Sequence, residues 1–168
     1  MSIVLITGSC GLVGSESVQF FASKGFDVVG IDNNSRLEFF GKDGDTNWVK
    51  RNLIKLHKNY IHNNVDIRNY LALEKIFKKY KKHIKLIIHS AAQPSHDWAK
   101  KNPFVDFNIN ALGTLNLLNL TKKYSYNAPF IFMSTNKVYG DNPNLLPLRE
   151  LNSRWEISKR HKYFKGIN

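Results

Sequence analysis

Residues 2–14, Ser2-Ile3-Val4-Leu5-Ile6-Thr7-Gly8-Ser9-Cys10-Gly11-Leu12-Val13-Gly14, decide the fold. The apolar run Ile3 to Ile6 reads as a fully buried strand, and three glycines spaced three apart follow it at once. Val13, Val18, Phe21 and Ala22 then share one face of an amphipathic helix. Strand, glycine-rich turn and helix in this order make the phosphate site of a doubly wound parallel sheet. Gly8 permits the tight turn, Gly11 lets a diphosphate approach the backbone, and Gly14 lets the helix sit close to the strand. The N–H groups at the helix start, Leu12 and Val13 among them, and the positive end of the helix dipole face the phosphates.

A glycine pattern alone is weak, because turns collect glycine for conformational reasons. The next run, Val28-Val29-Gly30-Ile31, ends in Asp32, close to the spacing of about 20 residues at which an acid grips an adenosine ribose. The turn-forming run Asn33-Asn34-Ser35-Arg36 follows, placed to reach the ribose or the adenine edge. Arg36 could instead take a 2′-phosphate, but Asp32 would repel that group, so the expected cofactor is NAD rather than NADP.

The chain has 168 residues, enough for one domain with a sizeable core, and 42% of them are hydrophobic, which excludes a disordered chain. A single cysteine excludes an internal disulfide framework and fits a reducing compartment. Cys10 reads as a small filler at the helix start, with no His or Asn partner visible nearby in the sequence. No apolar run reaches transmembrane length, and Met1 leads almost directly into the first strand without room for a signal peptide. The expectation is a cytoplasmic protein with no membrane contact. The net charge of +12 gathers in Lys78-Lys79-Tyr80-Lys81-Lys82-His83-Ile84-Lys85 and in scattered pairs such as Lys122-Lys123. Both clusters close predicted helices, where lysine complements the dipole. With no RNA or DNA motif and no aromatics interleaved on one basic face, nucleic acid is not the expected partner.

Further along, residues 37–44 read as a loop, and Asp45 or Thr46 caps a helix running to about Lys58, with Trp48, Leu53 and Leu56 available for burial. A third strand runs from Tyr60 to Val65 and ends at Asp66-Ile67. Asp66 either accepts from the adenine amine while the Ile67 backbone reads the ring, or caps the next helix, Asn69 to Lys82. A fourth strand, Leu86-Ile87-Ile88, leads into His89-Ser90-Ala91-Ala92-Gln93-Pro94-Ser95-His96-Asp97-Trp98. Small residues such as Ala91 and Ala92 let a ligand lie against the backbone, and polar ones beyond them can line a substrate pocket. His89 reads as a core histidine and His96 as a loop residue. Neither has metal-site company, so no metal is expected. A long helix starts near Pro103, with Leu112, Leu115, Leu118 and Leu120 as its apolar content, and Asn110 either orients a neighbouring group or faces water. The fifth strand, Pro129 to Met133, runs into Ser134-Thr135-Asn136-Lys137-Val138-Tyr139-Gly140. Arg149 to Asn168 shows no convincing strand.

These motifs together resemble the extended short-chain dehydrogenase/reductases, and within them the nucleotide-sugar epimerases. The runs Ala91–Asp97 and Ser134–Gly140 look most like the CDP-paratose 2-epimerase (CDP-tyvelose epimerase) group. The resemblance covers nearly the whole chain. It implies a Rossmann-type doubly wound α/β sheet of strand order 3-2-1-4-5, incomplete at the C-terminal side, with an NAD-binding domain over 1–140 and a tail over 141–168. It implies bound NAD and a nucleotide-sugar substrate, oxidised transiently at C2 and reduced again from the opposite face. Gln93, Asn110 and Ser134 would join the cofactor site. Ser95, His96, Thr135 and Asn136 would meet the substrate, with Thr135 also catalytic through a hydrogen bond to the reacting hydroxyl. The family's Tyr-x-x-x-Lys pair is missing: none of the seven tyrosines has a lysine four residues later. The resemblance therefore implies the cofactor-binding half of an epimerase, inactive alone, whose fifth strand is an open edge that pairs with a C-terminal half or with itself. A non-catalytic nucleotide-binding subunit and a dehydratase or reductase relative are the alternatives.

Overall fold

A computed structural model describes residues 2–166, apart from the side chains of Asn136 and Lys137. It divides into two compact units, which meet at the Met133–Ser134 bond.

In the first unit, β1 (Ile3–Thr7), β2 (Asp27–Ile31), β3 (Tyr60–Asn63), β4 (Ile84–His89) and β5 (Phe130–Phe132) form one parallel sheet of order β3-β2-β1-β4-β5. This is the Rossmann-type order expected from the sequence. Every residue of β1 is buried. Alternate side chains of a strand point to opposite faces, so a strand covered on both sides must be apolar throughout. Ile3 and Leu5 join one core with Leu73, Phe77, Leu117 and Leu120. Val4 and Ile6 join the other with Val18, Ala22 and Leu53. The helices supplying those residues are α1 (Leu12–Ser23), α3 (Asn47–Leu56), α4 (Tyr70–Tyr80) and α7 (Gly113–Tyr124).

Several local expectations differ from what is found. Residues 37–44 are not a loop: α2 (Ser35–Phe40) and a 3₁₀ turn (Gly41–Gly44) fill the segment. Of the three residues expected to anchor α3, only Leu53 is buried, while Trp48 and Leu56 are exposed. On α1, Val13 is exposed and Gly14 and Ser15 are buried in its place. The helix is turned so that its glycine, not its valine, meets the strand. Asp66 does not cap α4, because Asn69 does, its side chain accepting from the Ala72 amide. His96 opens a short helix, α5 (His96–Lys101). The long helix comprises α6 (Pro103–Phe107), a π-helical turn (Asn108–Leu112) and α7. Phe104, Phe107, Leu112, Leu115 and Leu118 are exposed along it, while Leu117 and Leu120 are buried in the core.

The second unit carries two short strands where none was expected. β6 (Leu148–Glu150) and β7 (Trp155–Ile157) pair antiparallel, with Arg149 opposite Glu156 and ion-paired to it at 3.3 Å. No helix among the described residues is long and apolar enough to cross a membrane.

Candidate functional site

The carboxyl ends of β1, β2, β3 and β4 lie along one edge of the sheet, and the sequence-selected groups of the first unit fall there. The chain turns sharply after β1. Gly8 takes φ +66, in the left-handed region, and the Gly8 amide donates to the Ile31 carbonyl at 2.8 Å. A Cβ on Gly14 would lie 2.0 Å from the Gly8 carbonyl oxygen, so any larger residue would push α1 off the turn. Gly11 is the N-cap of α1 and supplies no side-chain cap, and the first turn holds no acid. No side chain of the cap or first turn of α1 counters its positive end, at Leu12 and Val13.

Asp32 stands at the end of β2 with both carboxylate oxygens already oriented. Oδ2 accepts from the Cys10 amide at 2.9 Å and Oδ1 from the Asn34 amide at 2.8 Å. Each oxygen retains a lone pair for a diol. The bond to Cys10 ties the glycine turn to the end of β2. Asn33 donates to Asp66 at 3.1 Å and accepts from Ser35. Arg36 is exposed and lies over the Phe40 ring, 4.9 Å from its centroid. Asp66 is chelated by the Arg68 side chain and by the Arg68 amide at 2.8 Å. Burial raises its pKa, but these bonds and the guanidinium charge outweigh burial and the net shift is downward. Ile67 is buried, its carbonyl held at 3.1 Å by Asn116.

After β4 the chain is pinned residue by residue. Ser90 Oγ donates to the Thr7 carbonyl at 2.7 Å, and the Ala91 amide lies beside Gly8. Asn110, on the π-helical turn, accepts from the Gln93 amide at 2.9 Å and donates to the Gln93 carbonyl at 3.1 Å. It therefore neither faces water nor stands alone: Asp106 accepts from both Asn110 and Gln93. Ala92 stays exposed, Ser95 caps α5 by accepting from the Trp98 amide, and His96 is exposed. Ser134 and Thr135 belong to the second unit, and the expectation for the Asn136 side chain lies outside the described residues.

Spacing gave no sign of a polar network under the glycine turn. Ser9 Oγ lies 3.0 Å from the Tyr60 hydroxyl, which lies 3.1 Å from His62 Nδ1, and Cys10 Sγ is 3.8 Å from the same nitrogen. Cys10 does have a histidine neighbour, contrary to the sequence reading. Burial and then the Asp32 charge nonetheless push its thiol up to about 11, the opposite of an activated nucleophile. Burial likewise raises the Tyr60 phenol and lowers His62. No group of His, Cys, Asp and Glu among the described residues could hold a metal ion.

A glycine cradle closed to larger residues, an uncapped helix start and a pre-oriented carboxylate fit a dinucleotide's diphosphate and ribose. Comparison with known proteins agrees with this geometry. The model of a family described as "NAD dependent epimerase/dehydratase family" matches residues 4–163. A CDP-paratose 2-epimerase of Salmonella typhi is 37% identical over 138 residues, which are 82% of this chain and 38% of that protein. A Campylobacter jejuni UDP-Glc/GlcNAc 4-epimerase shares the fold with a TM-score of 0.70 at 23% identity, over 84% of this chain and 39% of its own. A Thermus thermophilus UDP-glucose 4-epimerase, solved as a complex with NAD, has a TM-score of 0.55 at 28% identity, over 73% of this chain and 34% of its own. The chain thus spans about two fifths of the length of the relatives it matches.

Proposed function

The chain belongs to the NAD-dependent epimerase/dehydratase family, and we propose that it supplies the NAD-binding part of a nucleotide-sugar epimerase. The observation that carries this reading is the pair of bonds from Asp32 to the Cys10 and Asn34 amides, which fixes a ribose acid beside an uncapped phosphate cradle. In this reading Gly8, Gly11, Leu12, Val13 and Gly14 hold the diphosphate through backbone amides. Asp32, with Asn33, Asn34, Ser35 and Arg36, holds the adenosine ribose. Asp66 and the Ile67 backbone face the adenine, and Ala91, Ala92, Gln93 and Asn110 form the remaining cofactor wall. When bound, NAD would take a hydride from a sugar carbon and return it. Ser95 and His96 contact the sugar, and the motif Ser134–Gly140 assigns Thr135 to the reacting hydroxyl.

We assign the substrate to the CDP-sugars, with C2 as the reacting carbon, from the motif runs Ala91–Asp97 and Ser134–Gly140. A proton must leave the sugar hydroxyl, and no tyrosine of this chain has the lysine partner that would lower its pKa for that task. Alone, the chain binds cofactor and does not turn over. Activity then requires a Tyr-x-x-x-Lys pair from outside residues 1–168, on the same or another polypeptide, packed along the β5 edge, where Ile131 and Phe132 are half exposed. We place this assembly in the cytoplasm. The test incubates the chain and NAD with CDP-sugars, with and without a Tyr-x-x-x-Lys half taken from a relative. Epimerisation in the mixture alone supports the reading. NAD binding with no activity in any mixture supports a non-catalytic nucleotide-binding subunit instead.

A further inference from the structure

Two adjoining cavities, of about 660 and 330 Å³, share Lys82, Lys123 and Tyr124 and form one groove between the end of α4 and the end of α7. It lies where β4 and β5 begin, at the opposite edge of the parallel sheet from the glycine turn. We propose that this groove binds single-stranded nucleic acid, with lysines on the phosphates and Tyr126 as a platform for a base. The site is independent of the dinucleotide reading above.

Charge comes first. Among the described residues no acid lines the groove. Glu74 neutralises part of its wall, pairing with Lys78 at 3.1 Å and with Lys123 at 2.9 Å. No ion pair to Lys79, Lys81, Lys82 or Lys85 occurs among the described residues. The dipole of α4 accounts for the lysines of its last turn, Lys78 and Lys79. It does not reach Lys85, which stands exposed on β4, a strand otherwise largely buried. Lys81 takes φ 43 and ψ −126, a conformation usual only for glycine, so a lysine is kept there against backbone strain. Ammonium groups gathered in this way repel one another until an anion lies among them.

Shape and aromatic content come second. The Tyr124 hydroxyl donates to Glu74 at 2.7 Å and Ser125 Oγ donates to the Lys81 carbonyl at 3.0 Å, so the two walls are tied together. Tyr126 is 79% exposed and makes no hydrogen bond or ring contact among the described residues, which leaves its ring open to a base. The expectation that no aromatics interleave with lysines on one basic face does not hold here. Tyr124 and Tyr126 line the groove together with Lys82, Lys85 and Lys123. A bilayer surface is flat and does not enter a groove. An acidic peptide would meet the lysines but has no planar base for Tyr126. A single strand supplies phosphates and bases along one flexible chain.

The test follows a fluorescently labelled RNA strand of about 12 nucleotides by anisotropy as the full chain is added, at several salt concentrations. The wild type should bind it saturably. Log affinity should fall against log salt with a slope of about −3, one phosphate for each unpaired lysine at about −0.7 apiece. Lys82→Gln combined with Lys85→Gln should flatten that slope by about 1.4. Tyr126→Ala should weaken binding roughly 5- to 100-fold with the slope unchanged, and Tyr126→Phe should bind as the wild type does. Saturating NAD should leave the strand bound. No binding at low salt, a slope that the double lysine variant leaves unchanged, or Tyr126→Ala equal to the wild type overturns the proposal. So does displacement by NAD, which would put the strand at the dinucleotide edge, or binding to phosphatidylserine vesicles in preference to the strand. NAD binding measured by itself decides the cofactor reading, whichever way the strand behaves.

Discussion

Protonating His89 should unfold this protein at a pH where most histidines are harmless. The ring is 2% exposed at the end of β4. Thr114 Oγ1 donates to the Asn110 carbonyl at 2.6 Å, so it must accept from His89 Nε2–H at 2.9 Å. The other nitrogen, Nδ1, then accepts from the Thr7 hydroxyl at 2.7 Å. A second ring proton would have no acceptor without reversing Thr7. Burial lowers the His89 pKa to about 4 from 6.5. In the unfolded chain the ring takes its proton near 6.5, whereas the folded chain resists until about 4, so acid favours unfolding between those values. Stability attributable to His89 is complete above 6.5 and falls as pH drops through the window. About 2.5 pKa units at 1.36 kcal/mol each amounts to about 3 kcal/mol. Urea denaturation followed by tryptophan fluorescence, repeated from neutrality down to about pH 4, measures this. His89→Gln keeps one donor and one acceptor but cannot titrate, so its stability should fall less than that of the wild type by roughly this amount. His62, also lowered by burial, titrates in both proteins and cancels in the comparison. The lowered carboxylates Asp66 and Glu74 act further into acid and cancel too. Parallel curves for the two proteins would refute the argument.

Gly14→Ala puts a methyl group 2.0 Å from a backbone oxygen that cannot rotate away, so it should destabilise by ~3 kcal/mol or more and abolish NAD binding. A urea midpoint unchanged from wild type would contradict this. Asp32→Asn presents an NH₂ to one of two amide donors and removes the charge facing the ribose. The expected loss is roughly 10- to 100-fold in NAD affinity by calorimetry. An affinity equal to wild type would show that Asp32 does not touch the cofactor. Cys10, buried and raised to about 11, should react with iodoacetamide on the order of 100-fold more slowly than a free thiol near pH 8.5. Alkylation at the free-thiol rate would mean the glycine turn opens readily.

The first strand and the phosphate turn were legible because they rest on patterns local in sequence, and the sheet order came from the family resemblance that those motifs carry. Ile3 to Ile6 is apolar at every position since both faces of β1 are covered, and that signal needs no tertiary knowledge. Residues whose roles arise only when distant segments meet were not legible. Tyr124 reaches Glu74 across 50 positions, and Tyr60 reaches Ser9 across 51. Val13 was assigned to the buried face of α1 by periodicity. Close approach at Gly14 turned the helix and exposed the valine. The strands β6 and β7 have three residues each, too short for alternation to register. Asn110 looked like a polar interruption of a helix until the π-helical turn brought it to both polar groups of the Gln93 backbone.

Calorimetric titration of the folded chain with NAD bears most directly on the proposal that residues 2–133 build a dinucleotide site from bare amides and one carboxylate. Saturable heat with one NAD per chain, lost in Gly14→Ala and weakened in Asp32→Asn, is the predicted result. A well-folded sample that gives no heat with millimolar NAD would contradict it.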